Sequence, residues 1–462
     1  MKQNPVSRLT KEQRDASILR LARKYSSVMC AHVLEDEETG KPIKQAPLHD
    51  EWHDIVSKHK RVIIWGSVEC GKALQLTTSV PTPDGHSVLR DIEVGDVVFG
   101  SDGKPCTVTG VSPIQYDRSV YRVKFDDGES VLADADHLWI VLKAQDRWPG
   151  TKKPGPRKDL SDDGPLCACG CGYKVGWHKN LRRWNEYIHN HHNRPTRANG
   201  RRVMSTAEIL AAGVTREARS KRADGSRYKE HKWCIPLCAP VEYPEAALPI
   251  HPYVLGAWLG DGTSRCSAIT FHEDDRFIVD KCVAIEGGNC GKWQRNSRKP
   301  HIYCVSVGTG RNSLTKRLRI AGLLRNKHIP EIYLTASVAQ RRELLAGLLD
   351  TDGTVGKKGR VEFSVVSKVL AEGTLELIRS LGFKASMTEG RAKIAGVDKG
   401  PRYRINFTPS VPVFSLPRKL ERQKDGPSFG RTNYRSIVSI EPVPSEPVKC
   451  IQVDSPDRSY LV

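Results

Sequence analysis

Gly66-Ser67-Val68-Glu69-Cys70-Gly71-Lys72-Ala73-Leu74-Gln75-Leu76-Thr77-Thr78-Ser79-Val80 decides how this chain is organised. Gly66 to Lys72 form a complete G-x-x-x-x-G-K phosphate cradle, and the apolar run Arg61-Val62-Ile63-Ile64-Trp65 before it reads as the buried strand that feeds such a loop. A Ser or Thr should come next to hold Mg²⁺, and a helix should begin. Ala73 stands there instead, and from Leu74 to Gly85 the sequence reads as strands and turns. The motif is interrupted by an insertion that starts at Ala73.

Working outward from that junction, Thr77, Val80 and Gly85 are followed by Asp91-Ile92-Glu93-Val94-Gly95-Asp96-Val97-Val98-Phe99-Gly100, while Ser439-Ile440-Glu441 and Val448-Lys449-Cys450-Ile451-Gln452-Val453-Asp454 stand near the other end. These blocks resemble the opening and closing blocks of an intein, a self-excising protein element. The resemblance implies an all-β horseshoe of the Hedgehog/intein type, with one half over 73–145 and the other over 430–462. Asp134-Ala135-Asp136-His137-Leu138-Trp139 carries the family's His, with Asp134 where many members have Thr.

Most inteins start with a Cys or Ser that attacks its own preceding carbonyl, and Ala73 has no such atom. Cys450 occupies a position where Asp is commoner. His137, Trp139 and Cys450 together resemble the subgroup called class three, which lacks a first-residue nucleophile. That likeness implies that Cys450 attacks the carbonyl of Lys72, that His137 protonates the departing Ala73 nitrogen, and that Trp139 positions the thiol and excludes water. A decayed element that cannot splice is the other reading of Ala73, and a buried strand cysteine the other reading of Cys450. No terminal Asn follows Tyr460-Leu461-Val462, so the chain reads as a precursor truncated within the late block and expected not to splice by itself.

Between the two halves lie Leu345-Ala346-Gly347-Leu348-Leu349-Asp350-Thr351-Asp352-Gly353 and a looser copy, Val254-Leu255-Gly256-Ala257-Trp258-Leu259-Gly260-Asp261-Gly262. The first resembles the motif that names the LAGLIDADG homing endonucleases. Two copies imply one monomer of two pseudo-symmetric αββαββα halves, an α+β domain expected over 204–429. Small residues Gly256, Ala257, Ala346 and Gly347 allow two helices to pack closely, with Asp261 and Asp352 at their ends just before a glycine that can stop the helix. A carboxylate there opposes the helix dipole, so both acids read as Mg²⁺ ligands for phosphodiester hydrolysis of double-stranded DNA. Lys327, and more weakly Lys384, are the candidate basic groups beside the acids. The formal net charge of +20 suits a protein that tracks phosphates.

Cys167-Ala168-Cys169-Gly170-Cys171 precedes His189, His191 and His192; three thiolates and a His, taken as His192, suit tetrahedral Zn²⁺, so residues 146–203 read as a Cys/His insert. Residues 1–72 read as an incomplete α/β P-loop ATPase fragment similar to the start of phage terminase large subunits, with a helicase as the alternative host. ATP, held by Gly66, Gly71 and Lys72, is expected only in the spliced host, which would then join a phage packaging assembly. No run is apolar enough to span a membrane, the N-terminus lacks a signal peptide's core, and the scattered cysteines read as reduced thiols. These features place the expected protein in the cytoplasm.

Overall fold

Strand Val120–Phe125 buries Val120, Val123 and Phe125 and turns Arg122 outward, and it folds back on Ser130–Asp134 across a turn in which Gly128 takes a φ of +95°. The structure is a computed structural model that describes residues 73–143, 177–178, 183–184, 201–221, 224–297, 299–356, 359–394, 397–423 and 431–462. Around that hairpin grows an antiparallel sheet of eight strands in the order Arg202–Ser205, Leu138–Lys143, Trp233–Pro236, Tyr434–Val443, Val120–Phe125, Ser130–Asp134, Leu74–Gln75 and Val448–Lys449. A smaller sheet of Val97–Phe99, Pro105–Val111 and Ile451–Val453 completes this part. Residues from both ends of the insertion therefore share one β-rich core, in which Leu74, Val80, Val123, Trp139, Ile437 and Ile451 pack together.

The domain boundary expected at residue 204 is corrected here. Strands Arg202–Ser205 and Trp233–Pro236 belong to the eight-stranded sheet, so the chain leaves the β-rich part only after Pro236. Alternation in these short strands is too brief to announce the sheet they join.

From Pro252 the period changes to that of helices. Helix Pro252–Asp261 buries every residue from Pro252 to Leu259, so it has no polar face and belongs in a core. Its counterpart Val338–Asp352 starts at a capping box between Ser337 and Gln340. After the first helix come Ala268–His272, helix Arg276–Ile285, Gln294–Arg295, Ile302–Ser306 and helix Leu314–Ile320. The second is followed by Gly353–Val355, Val361–Val365, helix Lys368–Ser380, Ala385–Ile394, Val397–Phe407 and helix Pro417–Leu420. In the first half the opening strand has shrunk to a single bridge, Gly262 to Ile269; with that bridge the two small sheets share one strand order, first, second, fourth, third. One hydrophobic core runs through both halves. The long hairpin of Ala385–Ile394 and Val397–Phe407 is paired as far as Ile394 and Val397.

The two parts meet closely within one compact unit running from Cys70 to Val462. Buried Arg341 of the second motif helix donates to Ala336 O (2.7 Å), Ser380 O (2.9 Å) and Val241 O, and so grips the linker that leaves the sheet. Phe99 and Tyr243 meet edge to face at 4.9 Å.

Candidate functional site

Two sites emerge, one in each part. In the β-rich part, Leu74 pairs with Lys449 and Gln75 with Val448, so one further step of the same antiparallel register sets Ala73 opposite Cys450. Both are buried, Ala73 fully and Cys450 to 1 % exposure, in one cluster with Val120 and Val448. Cys450 is held on its other side by Ser112, whose Oγ accepts from Cys450 N (3.0 Å) and whose N donates to Cys450 O (2.9 Å).

On the opposite flank of Ala73, Asp134 N donates to Ala73 O (3.1 Å), and His137 N closes the turn by donating to Asp134 O (3.2 Å). The His137 and Trp139 rings meet edge on at 4.5 Å, and the indole N–H donates to Thr206 Oγ1 (2.9 Å). Trp139 thus sits in the main sheet core and braces His137, whereas Cys450 belongs to the separate Ala73 cluster. Arg118, which no motif marks, donates to the Asp134 carboxylate at 2.9 Å and to Asp136. Burial pushes the Asp134 carboxyl above its ordinary value, and Arg118 opposes that rise. The Cys450 thiol, the His137 imidazole and Ala73 are all buried.

In the α+β part, the two motif helices cross where Gly256 faces Gly347. A Cβ on Gly256 would strike Leu344 O and lie 2.9 Å from Leu348 N, and one on Gly347 would strike Tyr253 O and lie 2.7 Å from Ala257 N. Only hydrogen at both positions lets the backbones touch, and this contact brings the helix ends together: a Cβ on Gly260 would lie 3.2 Å from Asp352 Oδ2. Burial, and then the nearby Asp352 charge, push the Asp261 carboxyl up to about 6. Asp352 is raised by its burial, with Lys327 and Lys419 opposing.

The glycines after the acids stop the helices, as their place in the sequence suggests, though not by a left-handed residue. Gly262 (φ −72°) and Gly353 (φ −86°) are extended and begin strands. They are glycines because a side chain would meet the last helical turn, Trp258 in one case and Leu349 in the other.

Lys327 Nζ donates to Leu259 O (2.9 Å) and Gly260 O (3.0 Å), and burial lowers its pKa to about 8 against the pull of Asp352 and Asp261. Its counterpart is Lys419, which sequence reasoning missed: Nζ donates to Leu349 O (2.9 Å), Asp350 O (2.6 Å) and Thr351 O (3.1 Å). Each ammonium caps the carbonyl end of one motif helix beside its acid. The expectation for Lys384 is corrected, because that side chain reaches away from the acids to Asp126 Oδ2 (2.7 Å) and Tyr434 O (2.9 Å), joining the two parts. The pseudo-repeat itself was the signal for Lys419, since each half ends in a short helix and a basic residue lies close to it. Asp350 is structural: it accepts from Tyr253 Oη (2.8 Å), Ser415 N and Leu416 N (both 3.0 Å).

Among the described residues no cluster of three or more His, Cys, Asp or Glu side chains could hold a metal. Two carboxylates nevertheless fit Mg²⁺, which takes one or two from protein and completes its shell with water and phosphate oxygens. Cys167, Cys169, Cys171, His189, His191 and His192 lie outside the described residues, as do Gly66, Gly71 and Lys72.

The homing endonuclease family model matches residues 328–418. The replicative DNA helicase DnaB of Mycobacterium intracellulare is 33 % identical over 403 residues, which is 87 % of this chain and 58 % of the relative. The chain thus spans little more than half the length of that relative. Among solved structures, the MchDnaB-1 intein is 42 % identical over 15 % of this chain and 53 % of its own, with a TM-score of 0.15. A mesophilic variant of the homing endonuclease I-DmoI is 14 % identical over 38 % of this chain and 94 % of its own, with a TM-score of 0.24. The expected likeness of residues 1–72 to a phage terminase, and with it a phage packaging assembly, finds no support, since the similarity is to a replicative helicase.

Proposed function

We propose that the chain is an intein-bearing precursor, with a class-three type splicing centre, a LAGLIDADG homing endonuclease lodged between the splicing halves, and a helicase-type P-loop ATPase as host. The observation that carries the reading is the register that sets Ala73 against Cys450 in a buried cluster, with the Asp134–His137 turn bonded to the carbonyl of Ala73. In this centre the Cys450 thiol supplies the attacking atom that Ala73 lacks. Its Sγ bonds to the carbonyl carbon of Lys72, the bond from that carbon to Ala73 N breaks, and His137 passes the thiol proton to the leaving nitrogen.

The endonuclease reading rests on the acids at the helix ends and on the family match over 328–418. Asp261 and Asp352 would hold Mg²⁺, which when bound would supply an activated water and positive charge for the phosphate. Lys327 and Lys419 add positive charge beside each acid, and the surplus of Lys and Arg holds double-stranded DNA, whose target is the uninterrupted host gene. Two halves in one chain make a monomeric nuclease. Cys167, Cys169, Cys171 and His192 bind a structural Zn²⁺ in the insert, and Gly66, Gly71 and Lys72 bind ATP only after rejoining the rest of the host loop in the cytoplasm.

Hydroxylamine cleaves thioesters, so incubation of the whole chain with it should release residues 1–72, identified by mass. Cys450→Ala should release none. Release from that variant would sink the assignment of the nucleophile.

A further inference from the structure

Arg118 lies in the loop before strand Val120–Phe125, beyond the last residue paired there with Ser130–Asp134, so the sheet does not need its side chain. It nevertheless donates through Nε (3.3 Å) and Nη2 (2.9 Å) to Asp134, which is 1 % exposed, and through Nη2 to exposed Asp136. The next residue, Ser119, accepts from Ala135 N (2.9 Å), so the same loop holds the turn by its backbone as well. One end of that turn touches Ala73 directly. Asp134 N–H reaches Ala73 O, and the ring of His137 is carried three residues on.

An exposed ion pair contributes little, but a buried carboxylate that loses its cation costs far more. Such a pair is therefore a firm anchor for the turn that starts at Asp134, the last residue of strand Ser130–Asp134.

We propose that Arg118 is a positioning residue for cleavage of the Lys72–Ala73 bond: by clamping Asp134 and Asp136 with one guanidinium it fixes the turn that presents His137 and the Asp134 amide to Ala73. The inference rests on the splicing reading. The charged groups near Asp134 are Arg118, Asp136 and His137; Ala73, Leu74 and Gln75 supply none, and Lys449 spends its ammonium on Arg90 O and Ile92 O (both 2.7 Å).

The test is hydroxylamine release of residues 1–72 from the full chain, followed from mildly acid to mildly alkaline pH. Arg118→Ala should slow release by about tenfold to a hundredfold near neutrality, the usual consequence of a misplaced catalytic group. The loss should deepen as pH rises far enough to ionise Asp134, which is then a buried charge with no cation to meet it. Burial already raises the Asp134 carboxyl, and without the cation it must be taken to still higher pH before it ionises. Arg118→Lys, which keeps the charge and loses the fork, should fall between wild type and Arg118→Ala, and it carries the test if the alanine variant fails to fold. Wild-type rate and pH profile in Arg118→Ala, or a loss equal at every pH, would overturn the inference alone. No release from the wild-type chain would overturn the splicing reading and this inference with it.

Discussion

The splice centre and the acid pair solve opposite problems with opposite surroundings. Cys450 and Ala73 are sealed in an apolar cluster and His137 is 7 % exposed, whereas Asp261 and Asp352 are half-buried and ringed by the ammonium groups of Lys327 and Lys419. The difference follows from where each substrate comes from. In the proposed splicing reaction the bond to be cut belongs to the same chain and folds into place, so nothing has to enter. In the proposed nuclease the substrate is a polyanion from outside, so the acids must stay open on one side, and the lysines offset their mutual repulsion. The means of assembly differ too. A β-register joins residues that are far apart in sequence at the splice centre, while a glycine crossing joins helix ends in the nuclease.

The largest test of this contrast is to neutralise the acids. Asp261→Asn or Asp352→Asn should lower cutting of duplex DNA by at least about a hundredfold in Mg²⁺ while leaving DNA binding nearly intact, because phosphate contacts carry affinity. Normal cutting by both variants would make the acids structural. The same Asp261→Asn change should stabilise the metal-free fold. A carboxyl raised to about 6 binds its proton more tightly folded than unfolded, so it favours folding at acid pH and opposes it once pH passes that value. Thermal melting near neutral pH should show a gain on the order of 1 kcal/mol.

Next in size is the crossing itself. Gly256→Ala should destabilise the α+β part by about 3 kcal/mol or more, since the new methyl meets backbone rather than a side chain that can move. Hydroxylamine release of residues 1–72 should survive in a chain that keeps its β-rich core; simultaneous loss of both activities would show that the parts fold only together.

The lysines sharpen the comparison further. Lys419→Met and Lys327→Met should each slow DNA cutting by about tenfold or more, whereas Lys384→Met should leave the rate alone and loosen the contact with Asp126. Equal effects of all three would remove the distinction between a basic group at the acids and one at the seam.

The smallest effect is expected at His86, whose imidazole bonds Glu376 across the seam at 3.3 Å and is raised by that carboxylate. A raised imidazole stabilises the fold below its unfolded value and loses this as pH climbs through the folded one. Because both side chains are about two-fifths exposed, His86→Ala should cost only a few tenths of a kcal/mol, visible in melts at mildly acid pH and absent in alkaline buffer.

Much of the chemistry was legible in the residues because it depends on local pattern. The broken cradle, the His137 block and the two small-residue runs ending in acids are each read within about ten positions, and the likenesses they suggest led to Cys450, Asp261 and Asp352. Lys384 was misread because a lysine's reach depends on what lies across from it in space; here that is Asp126, more than 250 positions away in sequence. The end glycines were legible as helix stops, but the reason for them was not. Glycine permits a left-handed residue, but only the packing of Trp258 and Leu349 showed that it was needed for room.

By itself, then, the sequence determined that a pair of helical, small-residue motifs lies within a β-rich frame, and it named a broken phosphate cradle and a candidate nucleophile, imidazole and acids, since periodicity and side-chain chemistry are properties of short segments. Only the tertiary structure decided that strands 202–205 and 233–236 join the splicing sheet, that Lys419 mirrors Lys327, and that Arg118 grips the turn beside Ala73. Each of those depends on long-range pairing, where the free energy of burying a charge or completing a ladder is set by partners that local pattern cannot name.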